Sequence, residues 1–226
     1  MHTFIDFRMS ALPMAHIPDG LLSVPVLAGG ALVAAVGVAI ALRKLDDRAI
    51  PRMAILSATF FVASLISVPM GPSSIHLLLG GLMGLVLGVG IFPAVLVALL
   101  LQAVLFGFGG LTTLGVNTTN IALPGAVFGV LLGPLIRQTD SAWRAGLLAG
   151  TGAACCVLAT GSLVALSLWL SAPEFAPVAR VLLLTYLPLA FADGAIAGVA
   201  VNFLVRVKPQ TLMPYLSSSV RQASKV

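Results

Sequence analysis

Apolar positions in this chain come in long runs, not in the strict alternation of half-buried strands. Seven runs stand out, at residues 21–42, 52–70, 76–90, 91–106, 120–136, 144–171 and 180–206. A helical crossing of a bilayer needs about 20 mostly apolar residues, fewer where turns or broken helices share the depth. The third and fourth runs are short and meet around residues 89–93 with no charge between them, which predicts a tight helical hairpin. Joined, they would make one long span with Pro93 inside it. The pattern therefore predicts an all-α, polytopic membrane protein with seven transmembrane helices.

Composition agrees. Of 226 residues, 59% are hydrophobic and 8% charged, with a mean hydropathy of +1.12, whereas soluble domains carry roughly 25% charged residues. A net charge of +5 raises nucleic acid as a partner, but its placement points to a lipid bilayer and no nucleic acid. Ten of the twelve Lys and Arg fall in four clusters: Arg43/Lys44/Arg48/Arg52, Arg137/Arg144, Arg206/Lys208 and Arg221/Lys225. Seven spans put all four on one side, leaving only Arg8 and Arg180 opposite. The positive-inside rule then places the N-terminus outside and the C-terminus in the cytoplasm, in the cell inner membrane. Residues 1–13 hold Asp6 and Arg8 but no apolar stretch of signal-peptide length, so they read as an N-terminal extension, misassigned or removed. Residues 14–212 form one membrane domain and 213–226 a cytoplasmic tail. Cys155 and Cys156 are neighbours on a helix, cannot pair with each other, and read as packing residues.

Ionisable groups within a bilayer are costly, so each is a functional candidate. Asp193 is the only carboxylate inside a predicted span. It either anchors a buried polar network or caps a helix shortened near Pro188. One carboxylate argues against a proton- or sodium-driven carrier, and none of Lys44, Lys208 and Lys225 lies in a Gly-rich phosphate loop. No Gly-x-Ser-x-Gly elbow is present, so an intramembrane serine protease is also disfavoured. The chain is expected to be no enzyme itself.

His16 and His76 are more telling, because the charge-derived topology places both at the outer face. Each alone would read as a polar cap, whereas two converging imidazoles suit a borderline transition metal. Between the fourth and fifth runs lies an uncharged loop from Gly107 to Asn120, rich in Gly and amides. Asn117 and Asn120, with Ser74 near His76, are candidates to hydrogen-bond metal-bound histidines. The alternative is a plain surface loop.

At these residues the chain resembles the CbiM/NikM family, the substrate-capture components of cobalt and nickel energy-coupling-factor transporters. The motifs are His16-Ile17-Pro18-Asp19-Gly20-Leu21-Leu22-Ser23, Ser73-Ser74-Ile75-His76-Leu77-Leu78-Leu79-Gly80-Gly81, Gln102-Ala103-Val104-Leu105-Phe106-Gly107 continuing to Asn117 and Asn120, and Asp193-Gly194 followed by Phe203-Leu204-Val205-Arg206-Val207-Lys208-Pro209. The resemblance implies a metal held by four nitrogens in a near square plane. They are an N-terminal amine, the amide and imidazole of a second-position histidine, and a later imidazole. Here these would come from Ala15, His16 and His76. It further implies no permanently bound cofactor, only the transported Co2+ or Ni2+. Implied partners are a transmembrane coupling protein, two ATPase subunits and a small accessory membrane protein.

The family chain begins Met-His, whereas here Ala15 stands between Met14 and His16 and further residues precede them. A start or cleavage that exposes Ala15 is the expectation, with Met1-His2 as the alternative. Planar nitrogen ligation favours nickel, while the lack of a fused C-terminal extension resembles the cobalt members. Two other readings stand beside this one: a capture component for an organic solute such as a vitamin, and a structural membrane protein. The first predicts aromatic residues around the outer cavity, where only Phe108 and Phe175 occur. The second needs only the Gly80/Gly84/Gly88, Gly125/Gly129/Gly133 and Gly194/Gly198 stripes, which more simply pack within the bundle.

Overall fold

The computed structural model describes residues 16–66, 68–70 and 73–212. Helices dominate because a helix satisfies its own backbone N–H and C=O groups where no water is at hand. They are α1 (Val24–Arg43), α2 (Ile50–Leu65), α3 (Gly80–Leu87), α4 (Ile91–Phe106), α5 (Leu114–Arg137), α6 (Ala142–Ser171) and α7 (Ala176–Val207). Between α2 and α3 lie two short antiparallel strands, β1 (Val68–Met70) and β2 (Ser73–Ile75), with Val68 opposite Ile75. Proline marks the first turn of α1, α2 and α7, where its missing N–H costs no helical bond. α4 stops at Gly107, whose φ of 66° suits glycine, and Phe108 N–H closes the turn onto the Gln102 carbonyl at 3.3 Å.

Six stretches among the described residues are long and apolar enough to cross a membrane: Val24–Arg43, Asp47–Leu65, Gly80–Phe106, Leu114–Arg137, Ala142–Ser171 and Pro173–Val207. The sequence pattern predicts seven, and the difference lies in one place. The run at 91–106 and most of the run at 76–90 fall within the single stretch Gly80–Phe106. That stretch is broken: Gly88, at φ 56° and ψ −127°, ends α3 after eight residues, and a 3-10 turn over Gly88–Gly90 leads into α4. A Cβ on Gly80 would meet Ile121 and one on Gly84 would meet Gly125, so α3 runs parallel to α5. α4 begins with Ile91 beside Gly125 and ends at the loop that opens α5, so it runs the opposite way. The chain turns back at Gly88–Gly90.

Two further expectations are corrected. The loop predicted from Gly107 to Asn120 ends early, because α5 starts at Leu114 and takes Asn117 and Asn120 into its first two turns. Both side chains are buried, and that of Asn117 holds another segment without an irregular backbone. Secondly, α7 runs unbroken through Pro188 and Asp193, so Asp193 does not cap a shortened version of its own helix. It is 1% exposed and accepts the Leu79 N–H at 2.9 Å, thereby capping the start of α3. Leu79 is the only described non-glycine residue with positive φ, at 50°.

Backbones touch where the glycine repeats meet. A Cβ on Gly125 would lie 2.6 Å from the Gly80 carbonyl oxygen, and one on Gly84 would overlap the Gly125 carbonyl. Gly150 and Gly194 face each other likewise across α6 and α7, at 2.8 Å either way. Small residues permit such approach where lipid offers no hydrophobic drive for association. At the other end of the bundle, Arg52 donates to the Thr211 carbonyl at 3.2 Å and Arg137 to that of Leu212 at 3.4 Å.

Gly84→Ala should destabilise the protein by more than the ~1–3 kcal/mol of ordinary overpacking, because backbone and not a flexible side chain must yield. Gly29→Ala is the control, since a methyl there meets nothing within 4 Å. Melting curves in detergent should separate the two variants clearly. Equal melting would mean that α3 and α5 do not touch as described.

Candidate metal site

Residues 16–23 lead into α1 without regular structure, yet His16, Ile17 and Leu22 are buried. Buried irregular backbone must find partners for its polar groups. Asn117 supplies two: its Oδ1 accepts Ile17 N–H at 3.2 Å, and its Nδ2 donates to the Ile17 carbonyl at 2.9 Å. The Thr113 hydroxyl donates to the same carbonyl at 2.7 Å. Asp19 then accepts from the backbone N–H groups of Leu111, Thr112 and Thr113 at 3.1, 2.9 and 3.3 Å, and from the Thr112 hydroxyl. Successive N–H groups at the mouth of a helix favour an anion. Burial pushes the Asp19 carboxyl up, but these hydrogen bonds outweigh it and hold the group below its ordinary value. Gly110 leaves the room, because a Cβ there would run into Asp19.

The docked arm brings His16 to His76. Their ring centroids are 5.0 Å apart with the planes inclined by 65°, and the residues are 7% and 4% exposed. His16 Nε2 lies 2.9 Å from Gln102 Oε1 on α4, and the Gln102 amide nitrogen donates to Ser64 Oγ at the end of α2. His76 sits in the irregular backbone between β2 and α3, its Nδ1 2.9 Å from the Leu77 carbonyl. A carbonyl only accepts, so Nδ1 carries the His76 ring proton and Nε2 is its acceptor nitrogen. Burial first, and the neighbouring His76 second, push the His16 imidazole down to about 3, so it is neutral at physiological pH. Neutral imidazole is the metal-binding form.

The residues singled out from sequence separate into groups. His16 and His76 come together. Asn117 grips the backbone of the arm instead of an imidazole. Asn120 is buried about one turn deeper, its Nδ2 without a partner among the described residues. Asp193 meets the segment after His76 at the Leu79 N–H, three residues on. Ala15 and the side chain of Ser74 lie outside the described residues. Among these, no three His, Cys, Asp or Glu side chains gather to hold a metal. Gln102, Thr113 and Asp19 were not among the candidates. The signal for Gln102 is a lone amide in an otherwise apolar helix, and for Asp19 a carboxylate that can reach a helix start.

Residues 16–211 match the family model CbiM, described as the cobalt uptake substrate-specific transmembrane region. The chain belongs to the CbiM family. A Haemophilus influenzae relative named for metal transport is 36% identical over 199 residues, covering 87% of this chain and 96% of the relative. The cobalt transport protein CbiM of Sorangium cellulosum is 32% identical, with 87% of this chain and 94% of that protein covered. The crystal structure of a transition metal transporter shares the fold, with a TM-score of 0.74 at 24% identity over 92% of this chain and 97% of that one. As a CbiM-family chain with six apolar stretches of crossing length, this is a multi-pass membrane protein. The CbiM match begins at His16, so arm and imidazoles both lie within it.

Asn117→Ala should free the CbiM arm, because each polar group left buried and unpaired costs about 1–3 kcal/mol. Amide exchange at His16, Ile17 and Asp19 should quicken while the helices keep their protection. Unchanged exchange would show that Asn117 does not hold the arm. Asp19 gives the arm a pH dependence of known sign. Its carboxyl is depressed on folding, so its contribution is full above about 3.9 and is lost as pH falls through the folded value. Asp19→Asn should remove that acid step from the exchange profile.

Proposed function

We propose that this protein is the metal-binding substrate-capture subunit of an energy-coupling-factor transporter that imports Co2+ or Ni2+. The observation that carries the reading is the pair of buried imidazoles, with ring centroids 5.0 Å apart, held at the end of a docked arm. Two imidazoles do not complete a coordination shell, and the residue before His16 is the natural source of more nitrogen. A free amine on Ala15, the amide and imidazole of His16, and the imidazole of His76 would give four nitrogens. Amine, next amide and that residue's ring close fused five- and six-membered chelates, and a planar nitrogen field suits Ni(II). Asn117 would hold the arm, with Asn120 and Ser74 as further hydrogen-bonding partners.

The proposed topology has seven crossings, with the N-terminus outside and the C-terminus in the cytoplasm of an inner-membrane protein. It is supported by the turn at Gly88–Gly90, since α3 and α4 run in opposite directions beside α5. It is also supported by the basic clusters, which then share one side. Energy would come from two ATPase partners, acting through a transmembrane coupling protein and a small accessory membrane protein.

His76→Ala should abolish high-affinity nickel and cobalt binding in calorimetric titrations while leaving the melting temperature near that of the parent. Undiminished affinity would refute the assignment. The amine is tested separately: a chain beginning at a free Ala15 should bind, and one with a tag fused directly to Ala15 should not. Equal binding by the two would leave at most a two-imidazole site. The amine and the amide must each lose a proton to bind metal, so affinity should drop as pH falls, by about tenfold per pH unit for each proton displaced.

A further inference from the structure

Ser64, Gln102 and His16 form a buried chain of hydrogen bonds in which every proton can be assigned by elimination. The Ser64 hydroxyl lies 2.8 Å from the Phe61 carbonyl oxygen. A carbonyl has no hydrogen to give, so the hydroxyl proton is committed there. Ser64 Oγ is left as an acceptor, and the end of Gln102 that faces it must be the NH2 group. The two ends of the Gln102 amide are thus not interchangeable, and Oε1 must face His16 Nε2, at 2.9 Å. An amide oxygen also only accepts, so Nε2 carries the ring proton. Gln102 and Ser64 are 0% and 1% exposed, so solvent does not compete for these bonds.

We infer that Ser64 and Gln102 are positioning residues, a relay that locks the His16 imidazole in its Nε2–H tautomer and so leaves Nδ1 as its donor nitrogen. The inference rests on the reading of His16 as a metal ligand given above. It also meets that reading from an independent direction. A chelate that uses the backbone nitrogen and ring of one histidine closes a six-membered ring through N, Cα, Cβ, Cγ and Nδ1, whereas Nε2 would require a larger, strained ring. His76 is held the other way round, with Nδ1 donating to the Leu77 carbonyl. The two rings therefore offer different nitrogens, each set by a partner that can only accept. Tautomers fixed in advance remove a rearrangement that metal binding would otherwise have to drive.

The test is the chain beginning at a free Ala15, labelled with 15N-histidine and reconstituted in lipid nanodiscs without metal. Its two histidines, His16 and His76, are assigned by single substitution. The expected spectrum shows His16 with a protonated Nε2 and a bare Nδ1. Ser64→Ala and Gln102→Leu should each produce a mixture of tautomers and weaken nickel and cobalt binding by roughly ten- to a hundred-fold. Ser64→Thr, which keeps the hydroxyl, should restore the parent spectrum and affinity. Gln102→Leu could fail to fold, and Ser64→Ala, which leaves Gln102 and His16 intact, then carries the test. A proton on Nδ1 in the parent, or an unchanged tautomer in Ser64→Ala, overturns the relay. A tautomer that responds as expected beside full metal affinity in His16→Ala overturns the ligand reading instead, and the relay stands as a property of the metal-free arm.

Discussion

Ile17 is held by an interaction normally supplied by a neighbouring strand. Its N–H and C=O both pair with the single amide of Asn117, which copies the donor and acceptor spacing of a peptide. Without that pairing, a chain with no regular structure could not lie buried between helices. The rest of the site depends on it. His16 reaches Gln102 and His76 because Ile17 is pinned, and Asp19, two residues further on, closes over the start of α5.

His76 is placed from the opposite side by an equally local device. Eight residues of α3 are too few for a full crossing, so the helix begins deep in the bundle and its first amides must be capped there. Asp193, from a helix far along the chain, caps Leu79. Leu79 accepts a left-handed backbone as part of the arrangement, and His76–Leu79 stays outside the helix instead of becoming its first turn. One imidazole is therefore referenced to α5 and α4, and the other to α3 and, through Asp193, to α7.

Much of this was legible in the residues. Long uncharged runs announce a membrane bundle, and glycine at four-residue spacing announces backbone contact, seen at Gly84 with Gly125 and at Gly150 with Gly194. His16 and His76 were expected on one face, and they do meet. Hairpin geometry at Gly88–Gly90 was visible as two short runs, but hydropathy cannot distinguish a turn from a continued helix when neither contains charge. The start of α5 was misplaced because Thr and Asn count as loop formers on their own. Here the side chains of Thr113, Asn117 and Thr119 bond to other segments, and the helix keeps its backbone ladder. Gln102 was passed over for a similar reason: an amide in an apolar helix has no meaning until its partner is known, and the partner is 86 residues away.

The level at which the imidazoles sit has an electrical consequence. Ile17 is tied to Asn117, which lies in the first turn of α5, so the arm docks only about 5 Å along that helix from its start, the outer end in the proposed topology. A divalent ion resting there would have left bulk water while crossing little of the transmembrane voltage. Moving one charge through a full 100 mV is worth about 2.3 kcal/mol, and two charges twice that. Nearly all of this work would remain undone at the moment of capture. Occupancy of such a site would follow ion concentration and proton competition, and the membrane potential would act only on the later inward step.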